Sequence, residues 1–302
     1  MPTRQSRPPA ERVRDRLRPL AGRAATDLPR GYQRLGKVLL LRLPSSLSPF
    51  GPRVGELYRE EMGVETVLGF EGGVEGELRR PRVRILAGER TETVHQEEGI
   101  LWHLDAAAIM FSAGNRSERR RAGELVRPGE RVADLFAGIG YFTLPAAKFG
   151  HPQVVHAVEK NPRSHAYLLE NVRANRVEGT VVPHLGDNRT VALPLGAFDR
   201  VFLGYLPSSL PFVPRALELL DGSGGWMHVH LVVSSPKSWA QDAREEVARA
   251  VLAAGGEVLE SHPRRVKPYG PARTHAVVDA RVRPPPAAAT AAAAAAASSA
   301  RG

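Results

Sequence analysis

The stretch Arg131-Val-Ala-Asp-Leu-Phe-Ala-Gly-Ile-Gly-Tyr-Phe-Thr143 limits what this chain can fold into more than any other. A short apolar run reaches Asp134, glycines follow at Gly138 and Gly140, and Pro145 opens a segment of helical character. The order is strand, tight turn, helix. Glycine lets a backbone turn sharply and approach a ligand, and the amides that open the next helix are a natural seat for a nucleotide. Proline suits a first helical turn, where its missing N–H costs nothing. A G-x-G spacing alone is a weak signal; the next strand strengthens it. Gln153 to Val158 is an apolar, β-rich run ending at Glu159, about twenty residues beyond the glycines, where an open α/β fold places the acid that binds ribose hydroxyls. The third glycine of the dinucleotide pattern is replaced by Thr143, which moves the expected ligand from NAD toward S-adenosylmethionine.

From Arg131 onward strands and helices alternate. The predicted strands are 131–136, 153–158, 179–185, 198–203, 226–233, 257–262 and 274–282, with helices beginning near Pro145, at Asn161-Pro162, after Pro211 and near Lys237. Such alternation predicts an α/β fold, a mostly parallel sheet covered on both faces with ligands at the carboxyl ends of its strands. The last two strands are joined by a polar, Pro-containing stretch without helical pattern, so the final strand is expected to be antiparallel. Each strand end carries a polar group: Asp134, then Glu159 with Lys160 and Asn161, then Gly186-Asp187-Asn188-Arg189, then Leu203-Gly-Tyr-Leu-Pro-Ser-Ser209. Glu159 suits a pair of ribose hydroxyls, and Asp187 suits the adenine amino group. A single such acid is more often a solvated loop residue; several at successive strand ends point to a pocket.

Residues 1–34 are Arg- and Pro-rich and read as a disordered basic arm. Residues 35–99 read as a small α/β domain: a strand at Lys37–Leu43, a helix through Leu57 and Tyr58, a strand at Val64–Phe70, and strand-like runs at Thr91–His95 and Ile100–Asp105 around a Gln-Glu-Glu-Gly turn. Residues 100–283 form the nucleotide-binding domain, and the Pro/Ala-rich 284–302 a disordered tail. The 42 Lys and Arg against 32 Asp and Glu give a net charge of +10, which attracts polyanions, nucleic acid first. The chain has no cysteine. That excludes disulfides, thiolate zinc sites and a cysteine-bound iron–sulfur cluster, so chemistry on S-adenosylmethionine would be polar displacement. No metal site is expected. No apolar run approaches the roughly twenty residues of a membrane span, and a monomer acting in the cytoplasm is the expectation.

Asp134-Leu-Phe-Ala-Gly-Ile-Gly-Tyr-Phe-Thr-Leu-Pro145, Glu159-Lys-Asn-Pro162 and Gly186-Asp-Asn-Arg189 resemble the archaeal and eukaryotic tRNA enzymes grouped as Trm-five and wybutosine-synthesizing protein two. The likeness extends to Glu75–Leu78, Arg84–Gly88, Phe111–Arg119, His228-Val-His230 and Arg265-Val-Lys-Pro-Tyr269, and covers roughly residues 35–283. It implies a Rossmann-like class I S-adenosylmethionine fold, a seven-stranded mixed sheet with a smaller amino-terminal α/β domain. It also implies action on the guanosine beside the anticodon of a tRNA.

The methylating branch has Asn-Leu-Pro after the fourth strand, and its Asn holds the target base. This chain has Gly204 there. The departure resembles the wybutosine branch, which moves the 3-amino-3-carboxypropyl group and releases methylthioadenosine. Gly204 would leave the pocket floor open for the methionine portion to rotate. Leu231 departs from the acid that often follows the paired histidines of that branch. By the same resemblance Glu118 and Arg119 stand where the methylating relatives have their acid and its arginine partner, and share catalytic candidacy with Gly204; otherwise they are a charged helix face. Phe111, Ser112, Asp134, Phe136, Gly138, Gly140, Glu159, Lys160, Asn161, Asp187 and Asn188 are the implied cofactor residues. Phe111, Tyr141 and Tyr205 are aromatic candidates to receive an extruded base. Arg116, Arg120, Arg121, Arg265 and Lys267 are candidates for the RNA phosphates. The rival readings are a tRNA guanine-N1 methyltransferase and a catalytically silent RNA-binding module.

Overall fold

The computed structural model describes residues 7–234 and 237–286. The chain divides between Ala113 and Gly114 into two compact units.

The first unit opens with helix α1, Pro9–Ala21, inside the stretch expected to be a disordered arm, and that expectation is corrected. Ala10, Val13 and Leu17 are buried in one core with Leu57 and Tyr58 of α2, Gly51–Met62. Their spacing lays them along one helical stripe, hidden in the sequence by the arginines set between them. Arg12 and Arg16 pair with Glu61 and Glu60 of α2. Residues 1–6 of the expected arm and 287–302 of the expected tail lie outside the described residues.

Strands β1 (Tyr32–Leu35), β2 (Val38–Leu41), β3 (Thr66–Glu75) and β4 (Arg80–Ala87) form a sheet in that order. β2 and β3 run parallel, as a crossover through α2 requires. A hairpin of β5 (Glu92–Glu97) and β6 (Ile100–Asp105) turns at Glu98 and Gly99, both at positive φ, the conformation that matches hairpin twist. This hairpin belongs to the first unit, so the boundary expected near residue 100 moves to 113/114. The reason is local bonding. Thr93 Oγ1 donates to Leu35 O at 3.2 Å, Gln33 donates to Phe111 O at 2.6 Å, and Phe111 packs edge-on against His95 and Trp102.

The second unit holds α3 (Arg116–Leu125), β7 (Arg131–Asp134), α4 (Thr143–Phe149), β8 (Val154–Glu159), α5 (Pro162–Ala174), β9 (Val181–Leu185), β10 (Arg200–Leu203), α6 (Val213–Leu219), β11 (Gly225–Val233), α7 (Trp239–Ala253), β12 (Glu257–Gly270) and β13 (Arg273–Arg283). Its seven-stranded sheet has the order β12-β13-β11-β10-β7-β8-β9. Strands β7 to β11 are parallel and β13 is antiparallel to both its neighbours, as expected. The chain steps outward from β7 through β8 to β9, then crosses to β10 on the other side of β7. That reversal opens a crevice at the carboxyl ends of the strands. One expectation is corrected: the polar stretch after residue 262 is no loop. β12 continues to Gly270 and turns through Pro271-Ala272 into β13. It tolerates Pro263 and Pro268 because it is the sheet edge, where a missing N–H costs no ladder bond, and its bulges absorb the irregularity.

Candidate functional site

Asp134 ends β7 completely buried. Thr143 Oγ1 donates to its Oδ2 at 2.8 Å, and the Phe136 N–H donates to Oδ1 at 3.3 Å. Burial pushes this carboxyl up to about 6 despite those donors. The turn beyond it passes through Gly138 at φ +58° and Gly140 at φ +106°, conformations that favour glycine. Asn171 Nδ2 on α5 donates to Ile139 O at 3.0 Å and pins the turn from behind. Sequence reasoning missed this residue. Its signal was a polar side chain in an apolar stripe, beside Leu168 and Val172.

Glu159 ends β8, the neighbouring strand, and accepts N–H bonds from Gly138 at 2.8 Å and Asn161 at 2.6 Å. Burial raises its pKa against these backbone donors. No cation pairs with it among the described residues, and each oxygen keeps a lone pair. Asn161 caps α5, its Oδ1 accepting the Arg163 N–H at 3.0 Å, as its sequence position suggested. Asp187 follows β9, and Gly186 N–H donates to Glu159 O at 3.0 Å, so the two acids converge. Lys160 Nζ lies 3.2 Å from Asp187 Oδ2. Arg189, hydrogen-bonded to Asp187 through its backbone and guanidinium, holds that carboxyl well below the usual range. Asn188 Nδ2 donates to Leu135 O at 2.9 Å, while its Oδ1 is buried without a donor among the described residues.

Gly204 follows β10, and the space beside it is filled. A Cβ there would stand 2.7 Å from Phe142 Cε2. The open pocket floor expected at Gly204 is therefore corrected: the glycine makes room for the Phe142 ring, itself stacked on His230 and Phe202. The loop beyond is held by Ser209, named in the sequence as part of the polar strand end but without this role. Ser209 Oγ accepts the Tyr205 N–H at 3.1 Å and lies 2.7 Å from Leu203 O, and the Ser209 N–H donates to His230 O at 3.0 Å. Tyr205 stacks on Phe136 at 5.2 Å, with Phe212 edge-on to both. The Tyr141 ring covers Gly138. Phe111 and Ser112 fall in the first unit, where the Phe111 ring is core.

On α3, Glu118 and Arg119 are both buried. Glu118 Oε2 faces Arg121 Nη1 at 3.4 Å, and Oε1 accepts from Arg264 Nε at 3.1 Å. Arg121 also grips Asp279. Its expected role on RNA is corrected: it is half-buried with its fork committed to two carboxylates. Arg116 and Arg120 are exposed, Arg120 beside Glu124 at 2.7 Å. Arg265 is exposed on β12, and Lys267 lies against Gly114 at the start of α3, where a Cβ would meet its Cδ at 2.9 Å. The described residues hold no grouping of His, Asp and Glu fit for a metal ion.

The family model described as TRM5/TYW2 methyltransferase domain matches residues 93–257. The chain belongs to the TRM5/TYW2 family. A second model, the TYW2 N-terminal domain, matches residues 13–91, which bears out the resemblance read from the glycine turn and strand ends. The two family matches meet between residues 91 and 93, ahead of the 113/114 division, so the β5–β6 hairpin counts with the TRM5/TYW2 domain by sequence and with the first unit in space. A relative from Pyrococcus horikoshii named tRNA(Phe) (4-demethylwyosine(37)-C(7)) aminocarboxypropyltransferase is 38% identical over 255 residues, 84% of this chain and 90% of that protein. The solved P. horikoshii TYW2 in complex with MeSAdo has a TM-score of 0.80 at 36% identity, covering 91% of this chain and 99% of that one. M. jannaschii TYW2 in complex with AdoMet has a TM-score of 0.69 at 33% identity, covering 84% and 100%. The expected fold, a class I S-adenosylmethionine sheet with a smaller α/β unit, is thereby borne out.

Proposed function

We propose that this protein transfers the 3-amino-3-carboxypropyl group of S-adenosylmethionine to carbon 7 of 4-demethylwyosine at position 37 of tRNA(Phe), releasing methylthioadenosine. The observation that carries the reading is the convergence of Glu159 and Asp187 at consecutive strand ends, in a chain whose TYW2 relatives bear that activity in their name. When bound, S-adenosylmethionine supplies a sulfonium whose attached carbons are all electrophilic, and the carbon placed in line with the nucleophile is the one attacked.

The residues present fit that group. Glu159 is a half-buried carboxylate with no cation among the described residues and a free lone pair on each oxygen, the acceptor set that two vicinal hydroxyls require. Asn188 Oδ1 is a buried acceptor without a donor, a defect costing about 1–3 kcal/mol that an adenine amino group beside Asp187 would relieve. The backbone at Gly138 and Gly140 admits close approach, Asp134 braces the turn from beneath, and Phe136 and Tyr205 supply a stacked aromatic wall. Phe142 fills the space that a side chain at position 204 would take, so the asparagine of the methylating branch has no room there, which supports transfer of the longer arm. Lys160 and Asn161 order the turn that presents Glu159. Exposed Arg116, Arg120 and Arg265, with half-buried Lys267, suit the phosphates of the anticodon loop. We further read the enzyme as a cytoplasmic monomer; no described helix is long and apolar enough to cross a membrane.

Incubation with S-adenosylmethionine and tRNA(Phe) carrying 4-demethylwyosine is expected to yield methylthioadenosine by chromatography. Glu159→Gln and Asp187→Asn are each expected to weaken cofactor binding about tenfold by calorimetry. S-adenosylhomocysteine as the only nucleoside product would overturn the reading in favour of methylation.

A further inference from the structure

Apart from the cofactor pocket, the second unit buries a chain of alternating charges. It begins at Glu130, whose carboxylate accepts from Arg200 Nε at 2.7 Å and Nη2 at 2.8 Å. Arg200 Nη1 donates to His228 Nε2 at 2.7 Å, and His228 Nδ1 lies 2.6 Å from Asp279 Oδ1. A guanidinium only donates, so Nε2 accepts and the imidazole is neutral with its proton on Nδ1, facing the carboxylate. Desolvation lowers the His228 pKa, in keeping with that state. Asp279 is gripped by Arg121, whose Nη1 reaches Glu118 Oε2, and Glu118 Oε1 accepts the Nε–H of Arg264.

Glu130, Asp279 and Glu118 balance Arg200, Arg121 and Arg264. Every member except the last is at most 15% exposed in its side chain; Arg264 is 50% exposed. Burying so many ions costs free energy that apolar packing would not, so such an arrangement is a weak argument for stability in itself. Its exposed end is where a use for it would lie. Arg264 pairs across the hairpin with Val277, two residues from Asp279 on the same strand. Its Nη1 and Nη2 have no partner among the described residues, and Lys267 and Arg116 sit near the same end of α3.

We propose that Glu118, Arg121 and Asp279 are positioning residues that lock Arg264 by its Nε, presenting its outer fork to an RNA phosphate. The inference rests on the tRNA reading and deepens it. A guanidinium fork matches two phosphate oxygens, and a side chain already held loses less freedom on binding. Glu118, with both oxygens engaged by guanidinium groups, is here a holder and not a proton acceptor.

The test compares tRNA affinity by fluorescence anisotropy for Arg264→Lys, Arg264→Gln, Asp279→Asn and the double variant Asp279→Asn/Arg264→Gln. Lysine keeps the charge but has no Nε–H to be held. Arg264→Lys is therefore expected to lose nearly as much as Arg264→Gln, about tenfold, Asp279→Asn several-fold, and the double variant no more than Arg264→Gln alone. Wild-type affinity in Arg264→Lys, or a double variant whose loss is the product of the single losses, overturns the proposal. If Asp279→Asn does not fold, the surface lysine variant decides alone. Methylthioadenosine release is followed in the same samples. Its presence with unchanged affinities sinks the clamp only; its absence alongside the expected affinity losses sinks the transferase reading and leaves the clamp standing.

Discussion

Asp134 shows how a residue read as part of a motif acquires its properties from burial. Its folded-state pKa of about 6 lies above the ordinary value of 3.8. The stabilising contribution is therefore complete below the ordinary value and lost as pH rises through about 6. Asp134→Asn keeps an acceptor for Thr143 and cannot ionise. Between about pH 5 and pH 7.5 the variant is expected to gain about 1–1.5 kcal/mol on the wild type in urea unfolding. A constant difference across that range would mean the buried carboxyl does not titrate there. The histidines act in the opposite sense: desolvation depresses His228 and His230, so their share is present above about 6.5 and lost as pH falls. They are common to both proteins and cancel from the comparison. Gly204 carries a related lesson. Its identity was legible as a departure from the methylating pattern, but its physical cause, the Phe142 ring 2.7 Å from where a Cβ would lie, belongs to a neighbour distant in sequence.

At the scale of elements, what was legible followed from local rules. The parallel strands fell close to where apolar runs ended in polar turns, and Asn161-Pro162 announced α5 because capping is settled within a few residues. Helix α1 and the second half of β12 escaped for one reason: polar residues can cover an apolar contact without removing it. In α1, arginines alternate with the stripe Ala10, Val13 and Leu17. In β12, prolines and arginines look like a loop until β13 lies alongside. If α1 belongs to the core, Leu17→Ala should lower unfolding stability by about 2–5 kcal/mol in chemical denaturation. A loss within the roughly 0.5 kcal/mol of a surface change would return that segment to a loose arm.

Across the whole molecule, the +10 charge suits the polyanionic substrate of the proposed reaction. The five phosphate contacts proposed, Arg116, Arg120, Arg264, Arg265 and Lys267, would make tRNA affinity fall roughly a hundredfold between about 50 and 200 mM salt; a flat dependence, measured by filter binding, would leave the charge without a role in recognition. The amino-acid sequence by itself determined the sheet class, the nucleoside turn and the strand-end acids, because turn chemistry, side-chain period and capping act over short spans of chain. Only the tertiary structure decided that Arg121 meets Asp279, 158 positions away, that Glu118 holds Arg264, 146 positions away, and that Arg121 is a half-buried tie with no fork left for RNA. Such pairings arise when folding sets α3 beside β12 and β13, far along the chain, where a buried charge must find a partner or lose its ionisation, and no local pattern records which partner it finds.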